Sequence, residues 1–471
     1  MRRRRTGTAR RRQPAVISPA PTEAFETIAA LATPPGRGAI AIVRASGERA
    51  GDIAARVFRS RRPLAPRVAT LGRIVDPSGA EIDSGLALFF PAPHSYTGED
   101  MLELHVHGSP VVVRDTLATL LAAGARLAQP GEFTRRAYLN GKLDLSAAEA
   151  VADLIDAESR SAARAARARL AGGLVAAVAA QRERLGVILE ELAGTLDFPD
   201  EVPEPPRDRL SREIAAICAS LDELAAGFER GRMVREGVAV AIVGPPNAGK
   251  SSLLNALLEE DRALVSEIAG TTRDTIEESF ALDGVRVRLV DTAGIRAHAD
   301  RLEAAGIARS ERALDEARIA LVVIDGSRPL DEAGHDLLRR TRERPRVVLF
   351  NKRDAGARGY DARPSEERDA LSVSVLERTD LARVRAALHA AIDLPAEDLE
   401  RPHLATARQA DCVLAALRAL RQAGTTLEEG HPVDLVAGDL MDAAAALGEL
   451  TGAGVSEAVL DRVFARFCIG K

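Results

Sequence analysis

The stretch Gly244-Pro245-Pro246-Asn247-Ala248-Gly249-Lys250-Ser251 decides the fold of the middle of this chain. It follows an apolar run, Val238–Val243, and leads into Ser252–Leu258, a segment of helical character. A glycine-rich loop between strand and helix that ends in Lys-Ser is the context of a phosphate-binding loop. Gly244 and Gly249 allow a tight path that turns backbone N–H groups toward phosphate. Lys250 carries positive charge to the outer phosphates and Ser251 offers an oxygen to Mg²⁺, while the helix N-terminus adds a favourable field.

Three further segments follow in the order such a fold requires. Val285–Val290 alternates like a strand and runs into Asp291-Thr292-Ala293-Gly294. There Asp291 meets the Mg²⁺ shell and the Gly294 backbone senses the γ-phosphate. Ile319–Ile324 reads as a buried strand, as does Val347–Phe350, which delivers Asn351-Lys352-Arg353-Asp354 at its C-terminal end. Ligands bind open parallel sheets at that end. A carboxylate at Asp354 accepts two hydrogen bonds from guanine N1–H and the exocyclic amine, a pattern adenine lacks. The expected nucleotide is therefore GTP. Ser374-Val375, after the strand Ala370–Val373, is either a last base-contacting loop or an ordinary strand end. Between these segments lies Gly270-Thr271-Thr272-Arg273-Asp274, where the Thr272 hydroxyl can reach Mg²⁺.

One absence is informative. Ras-type enzymes place a water-orienting glutamine after Asp-x-x-Gly, and this chain has Ile295. An apolar side chain cannot polarise water, so a downstream acid is needed, and Glu303 is the candidate. The charge that an arginine finger would neutralise must come from a partner or a cation. The Asn247 amide oxygen is placed to hold a monovalent ion beside the phosphates.

Working outward, the domain boundaries expected from composition are a basic tail (1–21), an α+β zone (22–140), a helical segment (141–235), a Ras-like G domain (236–396) and a second helical segment (397–471). In the α+β zone Gly38–Arg44, Ser84–Phe90 and Met101–Val106 read as strands and Pro110–Ala123 as a helix. The simplest architecture is one helical domain split by an inserted α/β domain. On the strand Leu102–His107, Glu103, His105 and His107 share one face, either as the polar side of a half-buried strand or, for the His pair, as metal ligands.

The chain has 471 residues, 46% of them hydrophobic, and a net charge of −5. That is ample material for several cores. Seven arginines fall within the first twelve residues, so the remainder carries −5 − 7 = −12. An acidic body argues against a general nucleic-acid-coating protein. The tail reads as a solvated arm, a start placed too early, a targeting peptide or an RNA-contacting arm. No apolar run reaches the ~18 residues of a membrane span, and Cys218, Cys412 and Cys468 are too sparse for a disulfide framework or a zinc site. The expectation is a soluble, cytoplasmic protein.

The sequence closely resembles the MnmE (TrmE) family of tRNA-modifying GTPases from about Phe25 to Lys471. The resemblance is carried by Thr33-Pro34-Pro35-Gly36-Arg37-Gly38, Tyr96-Thr97-Gly98-Glu99-Asp100, Pro130-Gly131-Glu132-Phe133-Thr134 and Asn140-Gly141-Lys142-Leu143-Asp144-Leu145. It continues in Asp197-Phe198-Pro199-Asp200, Ile268-Ala269-Gly270-Thr271-Thr272-Arg273-Asp274 and the terminal Phe467-Cys468-Ile469-Gly470-Lys471. It implies a homodimer that works with the FAD-dependent protein MnmG (GidA) on the wobble uridine of certain tRNAs. The one-carbon unit would come from a tetrahydrofolate derivative, in the 5-formyl or methylene form. It also implies K⁺-stimulated hydrolysis, with Asn247, Ser266, Ile268 and Thr271 around K⁺ and Ser251 and Thr272 on Mg²⁺. Glu303 would be the catalytic water-orienting residue and Arg273 a supporting one. GTP would contact Asn247-Ala248-Gly249-Lys250-Ser251-Ser252, Ser266-Glu267-Ile268-Ala269-Gly270-Thr271-Thr272, Asp291-Thr292-Ala293-Gly294, Asn351, Lys352, Asp354, Ser374 and Val375. For folate the pattern points to Arg44, Glu103, Lys142 and Lys471, and the terminal motif suggests a role in modification for Cys468. The competing expectation is a GTP-dependent switch that binds RNA or ribosome precursors.

Overall fold

A computed structural model describes residues 26–262, 278–290, 311–394 and 403–471. The chain divides into two compact units, one holding the described residues up to Ala152 together with Gly448–Lys471, the other Asp153–Leu447.

The first unit is built on a seven-stranded sheet. Its strands are β1 (Ile28–Leu31), β2 (Ile40–Ser46), β3 (Phe58–Arg59), β4 (Thr70–Val75), β5 (Glu81–Phe90), β6 (Met101–His107) and β7 (Arg126–Leu127), in the order β3-β4-β5-β6-β2-β1-β7. All pairs are antiparallel except β1 with β7. β2 starts later and runs further than the sequence pattern suggests, because Ala45 and Ser46 still pair with Leu102 and Met101. Alternation does the rest. Val43, Ala45, Leu102, Leu104 and Val106 point into a core that also takes Ile53 and Val57 of the helix Ala50–Val57 and Leu120 of the helix Pro110–Ala122. The opposite face is left to Arg44, Glu103 and His105.

The C-terminal segment closes this unit. Leu460, Val463, Phe464 and Phe467 share a cluster with Leu145, Ala148 and Ala152, and Ile469 forms an antiparallel bridge with Pro130. Gly470 adopts φ 98, and a Cβ there would collide with the Leu31 carbonyl oxygen. Only glycine lets the terminal tetrapeptide lie this close to β1.

In the second unit six strands form a sheet: β8 (Val238–Val243), β9 (Glu278–Leu282), β10 (Val285–Val290), β11 (Ile319–Asp325), β12 (Arg346–Asn351) and β13 (Leu371–Ser372). The order is β13-β12-β11-β8-β10-β9, parallel throughout except for β9 against β10. Near-continuous burial along β8 and β11 fits strands covered on both faces. The chain returns to helices afterwards, and Arg207–Ala226 packs against Ala407–Glu428 from the far side of the sheet domain in sequence. The sheet domain is thus inserted into the helical one.

Two polar joints fix this unit, the first between helices and the second between helix and sheet. Asp153 is buried between Arg169 at 2.7 Å and Arg235 at 2.8 Å. The β9–β10 turn is held where Ser161 donates from N–H (3.2 Å) and Oγ (2.6 Å) to the Gly284 carbonyl. Arg286 adds a pair with Glu158 at 2.9 Å.

Candidate functional site: a phosphate loop and a guanine loop

β8 is central in the six-stranded sheet, flanked by β11 and β10, so its C-terminal end is where the strand order reverses and where ligands enter such sheets. The loop Gly244–Gly249 leaves from that point, and the helix Lys250–Arg262 begins directly after it. Asn247 takes φ 62, a left-handed conformation that asparagine tolerates better than most residues. Gly249 takes φ 100, and a Cβ at this position would collide with the Asn351 amide. Glycine at 249 is therefore required twice, by backbone conformation and by the close approach of a second loop.

That second loop is the Asn351–Asp354 segment. Asn351 is 1% exposed. Its Nδ2 donates to the Ala248 carbonyl at 2.9 Å, and its Oδ1 accepts from Val375 N–H at 3.2 Å. One buried amide thus fixes the phosphate loop, the end of β12 and the loop after β13 to each other. Replacing it leaves a buried carbonyl and N–H without partners, which costs about 1–3 kcal/mol. Asn351→Ala is expected to lower the unfolding free energy of the sheet domain by that amount and to weaken GTP binding in parallel. Chemical denaturation and nucleotide titration check both, and unchanged affinity would show that the brace is structural only.

Lys250 Nζ donates to the Gly244 and Pro245 carbonyls, both at 2.8 Å, so the ammonium lies over the mouth of the loop. Burial pushes its pKa below the ordinary lysine value, and an anion at this position would offset that penalty by favouring the charged ammonium. Ser251 and Ser252 open the helix and are exposed. Lys352 has φ 66 and pairs with Asp325 at 2.8 Å. Burial alone would raise the Asp325 carboxyl, but hydrogen bonds from Lys352 and Ser327 outweigh it and hold the pKa below its usual value. Asp354 is exposed in the single turn Arg353–Ala355. Ser374 N–H donates to Asp380 at 2.7 Å, while its buried Oγ has no hydrogen-bond partner among the described residues.

The expected positions Ser266, Glu267, Ile268, Ala269, Gly270, Thr271, Thr272, Arg273, Asp291, Thr292, Ala293, Gly294 and Glu303 lie outside the described residues. β9 and β10 are the strands between the two stretches that carry them.

A second candidate site lies in the first unit. Arg44 on β2 and Glu103 on β6 are register partners, joined from Arg44 Nε to Oε1 at 2.9 Å and from an Nη nitrogen at 2.7 Å. The Arg44 guanidinium lies over two rings, Tyr96 at 5.9 Å and Phe133 at 5.7 Å. His105 Nε2 is 3.6 Å from Glu103 Oε2, beyond a hydrogen bond, and is buried without a partner. Lys142 is exposed and donates to the Pro93 carbonyl at 3.0 Å. Cys468 is exposed, and Lys471 N–H donates to its carbonyl at 3.3 Å. His107 binds Asp83 at 2.8 Å. Among the described residues no group of three or more His, Cys, Asp or Glu is placed to hold a metal ion.

Sequence reasoning missed the support beneath this site. Arg136, 1% exposed, pairs with Glu99 at 3.1 Å and Glu132 at 2.9 Å. Ser46 Oγ donates to Glu99 at 2.8 Å and lies 2.7 Å from Thr97 Oγ1, and Tyr96 Oη is 3.0 Å from Thr134 Oγ1. The Tyr96–Asp100 and Pro130–Thr134 motifs thus meet in one network. The available signal was the i,i+4 spacing of Glu132 and Arg136 on a helix.

Sheet topology, phosphate loop and base loop together define a P-loop GTPase. Comparison with known proteins narrows this. The chain matches the family described as GTP-binding protein TrmE N-terminus over residues 27–142 and the MnmE helical domain over residues 145–468. The protein called tRNA modification GTPase MnmE from Symbiobacterium thermophilum is 44% identical over 95% of this chain and 99% of that relative. Its namesake from Moorella thermoacetica is 43% identical over 95% and 99%, and that from Aquifex aeolicus 39% over 95% and 100%. Among solved structures, one of Era with MgGDPNP and a 16S ribosomal RNA fragment is 22% identical, covering 39% of this chain and 66% of that chain at TM-score 0.26. The chain belongs to the MnmE family of tRNA modification GTPases.

Proposed function

We propose that this chain hydrolyses GTP in a K⁺-stimulated cycle. Together with an FAD-dependent partner of the MnmG type, it adds an aminomethyl or carboxymethylaminomethyl group to the wobble uridine of certain tRNAs. The observation that carries the nucleotide half is the Asn351 brace, which couples the phosphate loop and the Asp354 loop as one rigid receptor. Mg²⁺ would be held by Ser251 with Thr272 and Asp291, and would neutralise charge on the phosphate oxygens. K⁺ would take the Asn247 amide oxygen, exposed on the loop, with Ser266, Ile268 and Thr271. Glu303 would orient water and Arg273 support the switch loop.

The first unit supports the folate half of the reading. A pterin edge needs a carboxylate acceptor and a flat surface; Glu103 supplies the first, and the planar Arg44 guanidinium with the partly exposed Tyr96 ring supplies the second. The buried, unpartnered His105 nitrogen fits a polar ligand group at the same place. A tetrahydrofolate derivative held there by Arg44, Glu103, Lys142 and Lys471 would supply the one-carbon unit. The chain's own residues bind and orient it. The homodimer and the flavoprotein partner belong to this reading as well. No helix among the described residues is long and apolar enough to cross a membrane.

Nucleoside analysis of tRNA from cells lacking the gene tests the whole. Loss of the wobble-uridine modification is expected, and intact modification sinks the proposal in favour of an RNA-binding switch. The cation claim has its own check, GTP turnover in K⁺ against Na⁺ at matched ionic strength. An ion that replaces an arginine finger stabilises the same transition-state charge, so turnover in K⁺ should exceed that in Na⁺ by at least about tenfold. Equal rates would remove Asn247 from the cation site.

A further inference from the structure

Between Ile53 and Val75 the chain carries Arg56, Arg59, Arg61, Arg62, Arg67 and Arg73 and no carboxylate residue, in a protein of net charge −5. Arg73 pairs with Glu81 at 3.5 Å. The other five are exposed, and none has a carboxylate partner among the described residues. Arg56 donates to the Ala123 carbonyl, Arg59 to the carbonyls of Ala55 and Phe58, and Arg67 to that of His94. Carbonyl oxygens orient a guanidinium without neutralising it. The Arg61 and Arg62 side chains have no hydrogen-bond partner among the described residues.

Some arginines elsewhere in the chain are paired with acids, while others, such as Arg182 and Arg418, are exposed without one among the described residues. Arg184 pairs with Glu213, Arg339 with Asp336 and Arg421 with Asp222. What sets this stretch apart is that five arginines without a carboxylate partner fall within the twelve residues 56–67, between Asp52 and Asp76.

The charge also has a shape beneath it. Arg59, Arg61 and Arg62 rim a groove of about 580 Å³ floored by Ala54, Phe58, Leu64 and Phe89. It lies where β3 forms the edge of the seven-stranded sheet and the 60–69 loop leads into β4. Leu64 and Phe89 are only partly buried, so the floor presents apolar surface to whatever the rim attracts. The site asks for a ligand that alternates anionic groups with flat, weakly polar ones. Guanidinium forks match phosphate oxygens, and three of them around one groove, Arg59, Arg61 and Arg62, offer contacts to more than one phosphate, which suits a polymer better than one small anion.

We propose that this groove and its arginine rim bind the phosphodiester backbone of RNA, with a ribose or an unstacked base against Leu64 and Phe89. The inference rests on the tRNA reading above for the identity of the polymer and adds where this chain grips it. An acidic protein segment would satisfy the charge, but it has no need of an aromatic floor beneath closely spaced guanidiniums.

The test uses the full chain and unmodified tRNA, titrated from about 50 to 200 mM KCl. The triple variant Arg59→Ala, Arg61→Ala, Arg62→Ala changes exposed side chains only. It should bind tRNA at least about tenfold more weakly at low salt, with the slope of log affinity against log salt reduced by about 2, since each lost phosphate contact removes about 0.7–0.9. GTP turnover without tRNA should be unchanged. The Arg61→Glu, Arg62→Glu variant should bind more weakly still. Wild-type affinity and slope in these variants overturn the inference, as does loss of a protein partner with tRNA binding retained. A natural chain with no salt-dependent tRNA binding also overturns it. Whether the modification reading survives is decided separately, by the tRNA nucleosides of cells lacking the gene.

Discussion

Asp354→Asn is expected to lower GTP affinity by about 1,000-fold or more and to create affinity for xanthosine triphosphate. The carboxylate stands at the C-terminal end of β12, exposed, in the turn that follows the left-handed Lys352. Among the described residues neither Asp354 oxygen has a hydrogen bond or an ion pair, so both are open to a ligand. Its neighbour Arg353 pairs instead with Glu377 and Asp380. Two oxygens that only accept match the N1–H and amino group of guanine. An amide replaces one acceptor with a donor, which faces the guanine amino group with another N–H. Sites built around a specific hydrogen-bond pattern reject the mismatched ligand by about 10⁴-fold, and 1,000-fold allows for partial relaxation. Xanthine carries a carbonyl where guanine has its amino group, so the same amide becomes complementary. Calorimetric titration with GTP and XTP checks both halves. Equal GTP affinity in the variant removes Asp354 from base recognition. A loss for both nucleotides would instead point to damage in the turn.

This expectation was legible in the sequence because local order is enough for it. A strand, a glycine-rich turn and a helix are contiguous, and Asn-x-x-Asp ends a strand of the same sheet. The Asn351 brace was not legible, since its partners Ala248 and Val375 are brought to it only by the parallel register of β12, β11 and β8. The same limit applies in the first unit. Glu103 could be assigned to the polar face of β6 from alternation alone. That Arg44 is its register partner depends on the β2–β6 pairing, and that Arg44 lies over Tyr96 and Phe133 depends on the 91–100 loop and the helix Glu132–Leu139 reaching the same face. Periodicity tells which face a residue takes but not what that face meets. The arginine run of residues 56–67 illustrates the difference. As sequence it is an unremarkable basic stretch; folded, it borders a groove whose floor comes partly from β5.

Arg136→Leu tests the strongest of these long-range arrangements. The guanidinium is almost wholly buried, its charge is shared between Glu99 and Glu132, and it also donates to the Glu26 carbonyl at 2.8 Å. Removing it leaves two carboxylates short of their partner inside the unit, a change that costs about 3–5 kcal/mol. The size of the penalty should depend on pH in a definite direction. Burial by itself would raise the Glu132 carboxyl, but hydrogen bonds from Arg126, the Gln129 N–H and Arg136 overrule it and hold its pKa at about 2, against 4.5 for the free group. A depressed folded-state pKa gives stability that is fully present above pH ~4.5 and is lost as pH falls toward ~2. The gap between the natural chain and the variant should therefore be widest near neutral pH and should narrow as pH drops through that window. The chain has no tryptophan, so circular dichroism during urea unfolding, at pH 7 and again near pH 3, is the suitable measurement. A penalty of equal size at both pH values would mean that Arg136 stabilises by filling space. The Tyr96–Asp100 and Pro130–Thr134 motifs would then meet through packing, with no need for the ion network that joins them.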